Sequence, residues 1–303
     1  MKRLLSLKEL DTQAMRSILD ATPATKAARG KETTRPLEGQ VWAMLFSKSS
    51  TRTRVSFEVG IRELGGSPLF LNGSDIQLGR GEPIEDTARV LGRMVKGVII
   101  RTYDQSDLVA LSEYSGLPIV NALTDEEHPC QILADIATIE EKRGPIAGKR
   151  VAFIGDGDCN VARSWLYAAK KLGFELRVGA PKEFQPADDA MAAVDSCPGS
   201  GSVIVTDSAQ AAVDGADVVY TDVWVSMGRE AEAEERLKVL AGFQVNGALM
   251  ADAAPEALVM HCLPAYRGKE IDHETMEAHA ETIFDQAEMR LHAQKSVLDW
   301  IVR

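Results

Sequence analysis

The chain has 303 residues, of which 45% are hydrophobic and 26% are charged, a composition typical of one large or two medium globular domains. Its 34 basic and 45 acidic residues give a net charge of -11 at pH 7, which argues against nucleic acid and membrane surfaces as partners. The start of the chain lacks the apolar region of a signal peptide, no stretch reaches the roughly 18 apolar residues of a membrane span, and the four cysteines form no CxxC pair. We therefore expect a cytoplasmic protein without disulfides.

Short apolar segments alternate with amphipathic segments along the chain. The predicted strands are Val41–Phe46, Pro68–Leu71, Gly97–Arg101, Ile119–Asn121, Val151–Ile154, Glu175–Gly179, Ser202–Val205, Val218–Thr221 and Val259–His261. The predicted helices are Thr51–Leu64, Glu85–Met94, Asp107–Tyr114, Pro129–Arg143, Asn160–Leu172, Ser208–Asp214, Arg229–Ala241 and Ala287–Arg303. Short, continuous apolar strands are typical of buried parallel sheets. The sequence therefore predicts an α/β fold of two doubly wound parallel-sheet domains joined by hinge helices.

The segment Glu140–Arg150, with the sequence EEKRGPIAGKR, separates two such runs of strands and helices. It is charged and contains a Gly-Pro pair, as segments between domains often do. We expect a first domain over residues 1–140 and a second domain over residues 141–286. The last helix, about residues 287–303, is expected to pack back on the first domain.

The segment Ser47–Glu58, SKSSTRTRVSFE, holds six hydroxyl residues and two arginines directly after the first predicted strand. A strand that turns into a helix at this point offers free backbone N–H groups and the positive end of the helix dipole. One hydroxyl is enough to cap a helix, so the additional hydroxyls and the planar Arg52 guanidinium favour an anion site. Arg54, further into the helix, is explained equally well by a structural or subunit-bridging ion pair.

Two further segments point to the same edge of the predicted sheet. Arg101 ends an apolar strand, and ligands in open α/β sheets bind beyond the carboxyl ends of strands. His128 precedes Pro129 at a predicted helix start, and Gln131 follows three residues later. A histidine and an amide suit the polarisation of a carbonyl group. A capping histidine and a rim arginine in an ion pair would explain the same residues.

Four motifs occur in one order over most of the chain, namely FSKSSTRTRVSFE, HPCQILAD, DVWVSMG and HCLPAYRG. Together they resemble the aspartate/ornithine carbamoyltransferase family, and the last two motifs resemble its ornithine enzymes. Four motifs together are far more specific than any one of them. The resemblance implies a carbamoyl-phosphate domain followed by an ornithine domain, and transfer of the carbamoyl group to the ornithine δ-amine to give citrulline and phosphate. It also implies no metal or organic cofactor, and a homotrimer, or a multiple of trimers, with shared active sites.

The resemblance assigns roles to residues at matching positions. The carbamoyl-phosphate residues that it implies are Ser50, Thr51, Arg52, Thr53, Gln77, Arg101, His128, Gln131, Cys262, Leu263 and Arg290. The implied ornithine residues are Asn160, Asp222, Ser226 and Met227. The implied catalytic residues are Arg101, His128, Asp222, Cys262 and Arg290. In addition, Gln77 would reach a neighbouring subunit's site, the Leu263–Pro264 bond would be cis, and Asp222 would either help to remove the δ-amine proton or hold the α-ammonium.

The acceptor amine is open to alternatives. Relatives usually carry two adjacent asparagines where this chain has Cys159 and Asn160, and a smaller or neutral polar residue at the position of Arg163. Putrescine or an acylated ornithine is therefore an alternative acceptor. Ser226 favours a free α-amino acid, because a diamine has no α-ammonium for it to contact. The direction of the flux, toward arginine synthesis or toward recovery of carbamoyl phosphate, also stays open.

Two alternatives of another class are a nicotinamide oxidoreductase and a non-enzymatic binding subunit. The segment Val151–Asn160 resembles the start of a dinucleotide-binding unit, but Asn160 replaces the third glycine, and Asp156 and Asp158 would repel a pyrophosphate. An acidic turn suits a zwitterionic amino acid better. The five intact residues Arg52, His128, Gln131, Asp222 and Cys262 argue against a non-enzymatic subunit. Cys130 and Cys159 are interpreted as structural, and His273, His279 and His292 as residues of solvated helix faces.

Overall fold

The computed structural model describes residues 2–31, 33–73, 81–226 and 230–303. The strands in these ranges are β1 (Val41–Phe46), β2 (Ser67–Asn72), β3 (Gly97–Arg101), β4 (Ile119–Leu123), β5 (Arg150–Ile154), β6 (Glu175–Gly179), β7 (Ser202–Thr206), β8 (Val218–Thr221) and β9 (Leu258–His261). The α-helices are α1 (Thr12–Ala27), α2 (Thr51–Glu63), α3 (Ile84–Met94), α4 (Gln105–Ser115), α5 (Pro129–Arg143), α6 (Asn160–Leu172), α7 (Asp188–Ser196), α8 (Ala209–Val213), α9 (Ala233–Leu240), α10 (Gly247–Met250), α11 (His273–Ala278) and α12 (Ala280–Val302). Within the described part of the chain, no helix combines the length and apolar character that a membrane crossing requires.

The predicted strands all form, and they build two parallel sheets. The α/β prediction with two parallel-sheet domains is confirmed. The reason lies in their composition, since short runs such as GVII can be buried on both faces only between helices. Residues Gly97–Arg101 of β3 are buried without exception.

The first of two compact units comprises residues 1–137 and 288–303. Its parallel sheet has the strand order β2-β1-β3-β4, so the chain adds β2 on one side of β1 and adds β3 and β4 on the other. The order therefore reverses between β1 and β3, and ligands bind at such a switch point in doubly wound sheets. Because all four strands are parallel, their carboxyl ends lie along one edge.

The second compact unit comprises residues 138–287. Its parallel sheet has the strand order β7-β6-β5-β8-β9, and the order reverses between β5 and β8. Helix α6 packs its buried Trp165 ring edge-to-face against Tyr220 of β8, with 5.4 Å between the ring centroids. Gly173 ends this helix in a left-handed conformation at φ 76, which glycine adopts without strain. The switch point of this sheet again places two loops at one carboxyl edge.

Helix α1 was not predicted from the sequence. It contains Pro23, which lacks an N–H group, and its threonines lower helix propensity. Packing outweighs these local preferences, because Met15, Ile18 and Leu19 are almost completely buried. The Asp11 carboxylate caps the helix by accepting a hydrogen bond from the Ala14 N–H at 2.7 Å.

Two predicted helix starts were wrong. The α-helix was expected from Arg229, which lies outside the described residues; the described part has a 3-10 turn over Glu230–Glu232 and the α-helix over Ala233–Leu240. The last helix begins at Ala280 rather than at residue 287.

The prediction that His292 lies on a solvated helix face was also wrong. Residues 289–298 of α12 are all buried, so the polar side chains there are not at a surface. Lys295 is buried because its ammonium pairs with Glu63 at 2.7 Å, and Ser296 shares a hydrogen bond with Thr25 at 3.0 Å. The sequence around His292 resembles a solvated face because it is polar, but Lys295 and Ser296 have their partners within the first unit.

Candidate active site

Three predicted segments of the first unit meet at the carboxyl edge of its sheet. The anion segment follows β1, Arg101 ends β3, and His128 lies in the connection from β4 to α5. The Ser47 N–H donates to the Arg101 carbonyl oxygen at 2.8 Å, which ties the first two segments together. These loops lie side by side because β1, β3 and β4 are adjacent in the sheet.

Ser50 caps α2, as the conservative interpretation of the anion segment predicts. Its backbone is extended, and its Oγ accepts a hydrogen bond from the Thr53 N–H at 3.2 Å. The first N–H groups of a helix have no intrahelical acceptor, and this hydroxyl satisfies only one of them. Thr51 and Arg52 are the next two residues and are exposed and half-buried, respectively. The capped helix start therefore keeps backbone donors and a guanidinium for an anion.

Thr53, in the first turn of α2, contacts a residue of α12. Its side chain is completely buried, and its Oγ1 accepts a hydrogen bond from Arg290 Nη2 at 2.6 Å. Arg290 is 237 positions away in sequence and is itself only 3% exposed. A second buried arginine is thereby fixed at the start of α2, where it adds positive charge to the anion segment.

His128 and Arg101 are both buried, with 5% of each residue exposed. Burial lowers the pKa of His128 well below its usual value, and the positive charges of Arg290 and Arg101 lower this pKa further. The imidazole is therefore neutral at pH 7. A neutral imidazole donates one hydrogen bond without repelling nearby guanidinium groups, which suits the polarisation of a carbonyl oxygen.

Gln131 lies one turn into α5 and is 1% exposed. Its Nε2 donates to Asp135 Oδ1 at 2.8 Å, and its Oε1 has no hydrogen-bond partner among the described residues. Asp135 is completely buried. Sequence reasoning did not single out Asp135, although its position four residues after Gln131 puts both side chains on one helix face.

Lys48 is a second residue that sequence reasoning passed over. Its side chain is 4% exposed, forms an ion pair with Asp125 and lies over the Tyr103 ring at 4.3 Å from the centroid. The buried lysine adds to the positive charge of the anion segment. Arg54 instead pairs with Glu58 at 3.5 Å and stacks on the Phe70 ring at 3.7 Å, in agreement with a structural interpretation of this arginine.

In the second unit, Asp222 and Cys262 meet because they follow neighbouring parallel strands. Asp222 comes directly after β8, and Cys262 directly after β9. The Cys262 thiol donates to Asp222 Oδ1 at 2.9 Å. Burial raises the pKa of Asp222, although His261, the thiol and the Val223 N–H all oppose the rise. A carboxylate with a raised pKa is a stronger base than an exposed aspartate.

His261 fixes the backbone next to Cys262. Its Nδ1 accepts a hydrogen bond from the Leu263 N–H at 2.9 Å, and its Nε2 faces Glu270 at 3.3 Å. Leu263 has φ 59, and the Leu263–Pro264 bond is cis, as the resemblance implies. Ligating atoms of Asp222, His261 and Cys262 lie within 4.8 Å of one another, but both ring nitrogens of His261 are engaged. A metal ion at these residues would have to displace one of those contacts.

The departures from relatives at the start of α6 have structural explanations. The Cys159 Sγ caps the helix by accepting from the Ala162 N–H at 3.4 Å, and burial raises the pKa of this thiol well above its usual value. Arg163 forms ion pairs with Asp189 at 3.0 Å and with Asp158 at 3.5 Å. Both residues are thus engaged in contacts with this chain. Asn160 is the first residue of α6 and is half-buried.

The acidic turn after β5 also finds its partner within the chain. Asp156 is buried and forms an ion pair with Arg236 of α9, which also donates to the Trp224 carbonyl oxygen at 2.6 Å. Burial raises the pKa of Asp156 to about 6, although Arg236 opposes the rise. The charge of Asp156 is therefore balanced by Arg236 and not by a cationic ligand. Through Arg236, the ion pair connects the turn after β5 to the segment after β8.

Cys130 has a structural role in the first unit. Its thiol donates to the Asn121 carbonyl oxygen at 3.3 Å, and burial raises its pKa to about 12. Such a thiol is not nucleophilic at neutral pH.

The structure distributes the predicted site residues over the two units. The first unit holds Ser50, Thr51, Arg52, Thr53, Arg101, His128, Gln131 and Arg290, and the second holds Asn160, Asp222, Ser226, Cys262 and Leu263. Gln77 and Met227 lie outside the described residues.

Two family models together match nearly the whole chain. The carbamoyl-P binding domain of aspartate/ornithine carbamoyltransferase matches residues 2–141, and the Asp/Orn binding domain matches residues 147–301. A protein of Akkermansia muciniphila named ornithine carbamoyltransferase is 54% identical, over 98% of this chain and 97% of its own. A Campylobacter fetus protein of the same name is 49% identical, over 100% and 99% of the two chains.

Solved structures agree with these matches. The ornithine carbamoyltransferase of Pyrococcus furiosus has a TM-score of 0.91 and 44% identity, and the match covers 98% of this chain and 96% of that one. The anabolic ornithine carbamoyltransferase of Campylobacter jejuni has a TM-score of 0.92 and 39% identity, with 99% of both chains covered. These similarities support the carbamoyltransferase interpretation and not the nicotinamide oxidoreductase. The chain belongs to the aspartate/ornithine carbamoyltransferase family.

Proposed function

We propose that this chain transfers the carbamoyl group of carbamoyl phosphate to the δ-amine of L-ornithine, giving L-citrulline and phosphate. The observation that carries this proposal is the full-length similarity, at 54% identity, to a relative named ornithine carbamoyltransferase. The contact between Asp222 and Cys262 supports it, because it joins the two motifs on which the resemblance to the ornithine enzymes rests.

Carbamoyl phosphate binds to the first unit in this proposal. Its phosphate accepts hydrogen bonds from the start of α2 and from the hydroxyls and guanidinium of Ser50, Thr51 and Arg52. Its carbonyl oxygen faces Arg101 and His128, while Arg290 and Thr53 add positive charge and a hydroxyl. The neutral state of His128, which follows from its lowered pKa, supports its role as a hydrogen-bond donor. These donors stabilise the oxyanion that develops on the carbonyl oxygen.

Ornithine binds to the second unit through Asn160, Asp222, Ser226 and Met227. The raised pKa of Asp222 supports a role in accepting a proton from the δ-ammonium, since the nucleophile must be a neutral amine. Cys262 donates a hydrogen bond to this carboxylate and holds it in place. Cys262 and Leu263 also contribute to the carbamoyl end of the site.

The reaction balances without a cofactor. One proton leaves the δ-ammonium to Asp222 or to solvent, and the neutral nitrogen forms a bond to the carbamoyl carbon. The bond from this carbon to the phosphate oxygen then breaks, and the phosphate leaves with the electron pair. The second proton on the attacking nitrogen passes to the leaving phosphate. Positioning of the two substrates and stabilisation of the oxyanion supply the rate acceleration.

The assembly and location of the enzyme are part of the proposal. We propose a cytoplasmic homotrimer, or a multiple of trimers, in which Gln77 reaches the site of a neighbouring subunit. This part rests on the resemblance of the motifs.

An acceptor panel tests the proposed substrate. Carbamoyl phosphate is supplied with ornithine, acetylornithine, putrescine or aspartate, and each carbamoylated product is measured. Ornithine is expected to give the highest kcat/KM, because Cys159 and Arg163 are engaged in contacts within the chain and so leave no reason for a different acceptor. Arg52→Ala is expected to abolish turnover. Arg54→Ala is the matched control, since Arg54 contacts Glu58 and Phe70, and it is expected to remain active.

Faster turnover with putrescine or acetylornithine would contradict ornithine as the acceptor. The absence of turnover with all four amines would favour a binding or regulatory subunit.

A further inference from the structure

The connection from β4 to α5, which carries His128, is attached to the amino-terminal segment, residues 4–7. Glu127 directly precedes His128 and is 3% exposed. Its Oε2 accepts a hydrogen bond from the Leu7 N–H at 2.8 Å, across 120 positions of sequence. A carboxylate is costly to bury unless hydrogen-bond donors satisfy it. Glu127 therefore joins the neighbour of a predicted catalytic residue to a segment that none of the sequence motifs includes.

The amino-terminal segment is itself fixed against β4. The Leu4 N–H donates to the Ile119 carbonyl oxygen at 2.9 Å, and the Asn121 N–H donates to the Leu4 carbonyl oxygen at 2.7 Å. Leu4 and Leu7 are completely buried, so the burial of apolar area adds to these hydrogen bonds. The segment therefore extends the sheet of the first unit beside β4 and can hold Glu127 in place.

A second set of hydrogen bonds links the same two parts of the chain. The Thr124 N–H donates to the Glu127 carbonyl oxygen at 2.9 Å, and Thr124 Oγ1 accepts from the Glu127 N–H at 3.1 Å. The Thr124 hydroxyl donates to Gln105 Oε1 at 2.8 Å, and Gln105 Nε2 donates to the Leu5 carbonyl oxygen at 3.1 Å. Glu127 is thus held through both its backbone and its carboxylate.

His128 lies between this turn and α5. The N–H groups of Gln131 and Ile132 donate to its carbonyl oxygen at 3.1 and 3.4 Å. The directions that a side chain can take depend on its backbone, so the turn that contains Glu127 determines where the imidazole lies. A displacement of about 1 Å in a catalytic group can lower a rate about a hundredfold. A shift of this turn that is too small to unfold the protein is therefore large enough to slow the reaction.

We infer that Glu127 is a positioning residue for His128, and that the amino-terminal segment thereby helps to place the imidazole at the carbonyl oxygen of the carbamoyl donor. This inference rests on the proposed function, in which His128 faces that oxygen. Glu127 acts through His128 and through the Leu7 N–H, and it contacts neither substrate.

The test measures kcat and the KM for carbamoyl phosphate at saturating ornithine. Glu127→Leu removes the acceptor of the Leu7 N–H and is expected to lower kcat about tenfold, because a displaced donor stabilises the oxyanion less. Glu127→Gln keeps a side-chain oxygen at the same distance from the backbone and is expected to stay within about twofold of the wild type. The KM is expected to change less than about twofold in both variants, because the phosphate binds at the start of α2.

A double-variant cycle distinguishes positioning from a general structural role. In the His128→Ala background, Glu127→Leu is expected to have no further effect on kcat, since the group that it positions is absent. Asp11→Leu is the matched control, because the Asp11 carboxylate also accepts a backbone hydrogen bond, from the Ala14 N–H at 2.7 Å, but at the start of α1. This control is expected to leave kcat unchanged.

Nitrogen-15 NMR of labelled histidine gives a measurement that does not require turnover. The His128 signals are identified as those missing from the spectrum of His128→Ala. They are expected to shift in Glu127→Leu, because the imidazole changes its surroundings, and to keep their positions in Asp11→Leu.

A lower kcat that Glu127→Gln restores and that disappears in the His128→Ala background, together with shifted His128 signals, would support the inference. An equal loss of kcat in both backgrounds would show a general structural role and overturn it. A wild-type kcat and unshifted signals in Glu127→Leu would overturn it as well.

A second variant covers the case in which Glu127→Leu does not fold. Glu127→Asp has a carboxylate on a shorter side chain, and it is expected to lower kcat about threefold in the wild type and not at all in His128→Ala. Absence of citrulline formation by the wild-type chain would contradict the proposed function, and the His128 signals would then decide the inference alone.

Discussion

His128 shows how burial determines the charge of a site residue. A histidine before a Pro-initiated helix is easily explained as a capping residue, and the sequence does not report how many positive charges surround it. In the structure the residue is buried near Arg101 and Arg290, and its pKa is lowered well below the usual value. Arg290 could not have been placed near His128 by periodicity, because the two are far apart in sequence. The resemblance to the family was the signal that identified it.

The lowered pKa of His128 predicts a loss of stability in acid. Below the unfolded-state pKa of about 6.5, the unfolded chain binds a proton that the folded protein does not bind. Stability is therefore unaffected above this pH and falls as the pH drops below it. Between pH 7.5 and 5.5, the wild type is expected to lose about 1.4 kcal/mol more unfolding free energy than His128→Gln. Urea unfolding at both pH values measures this difference.

The comparison between the two proteins cancels the other titrating groups. His279 and His292 also have lowered pKa values, and the raised pKa of Asp156 acts in the opposite direction. All three are present in both proteins. An equal loss of stability in wild type and variant would mean that His128 binds its proton in the folded state.

At the scale of elements, the sequence predicts the continuous apolar strands and the helix that begins at a proline. It does not predict a helix whose formation depends on packing against the rest of the unit. Strand β3 and helix α5 have the predicted boundaries. Helix α1 forms in spite of Pro23 because Met15 and Ile18 are buried. The burial of His292 in α12 was not predicted, because the sequence around it is polar and does not show that Lys295 and Ser296 pair with Glu63 and Thr25.

The ion pair between Asp156 and Arg236 is expected to hold the β5 turn to α9. Arg236→Met would leave the buried Asp156 without its cation, which is expected to lower the unfolding free energy by about 3 kcal/mol. The double variant Asp156→Asn, Arg236→Met removes both charges and is expected to regain most of this loss. Denaturant unfolding followed by tryptophan fluorescence measures all three proteins.

The control for this prediction is Arg267→Met. Arg267 pairs with Glu277 at the surface, where ion pairs contribute little, so this variant is expected to unfold like the wild type. Equal stability of Arg236→Met and Arg267→Met would contradict a stabilising role for the buried pair.

At the scale of the whole molecule, the chain consists of two units, and each is built on a parallel sheet with one reversal of strand order. Each sheet reverses its strand order once, and most predicted site residues follow the strands at that reversal or the next strand outward, β4 or β9. The motifs therefore predicted which residues lie at each carboxyl edge. The ion pairs of Asp156 with Arg236 and of Lys48 with Asp125 were not predictable, because each joins residues that are far apart in the sequence.

The proposed activity of the chain is transfer of the carbamoyl group of carbamoyl phosphate to the δ-nitrogen of ornithine. The most direct measurement is carbon-13 NMR of a reaction with [13C]carbamoyl phosphate, ornithine and the purified protein. We expect the labelled carbon to appear in the ureido group of citrulline, with one phosphate released for each citrulline formed. Release of phosphate with the label in bicarbonate and none in citrulline would contradict the claim.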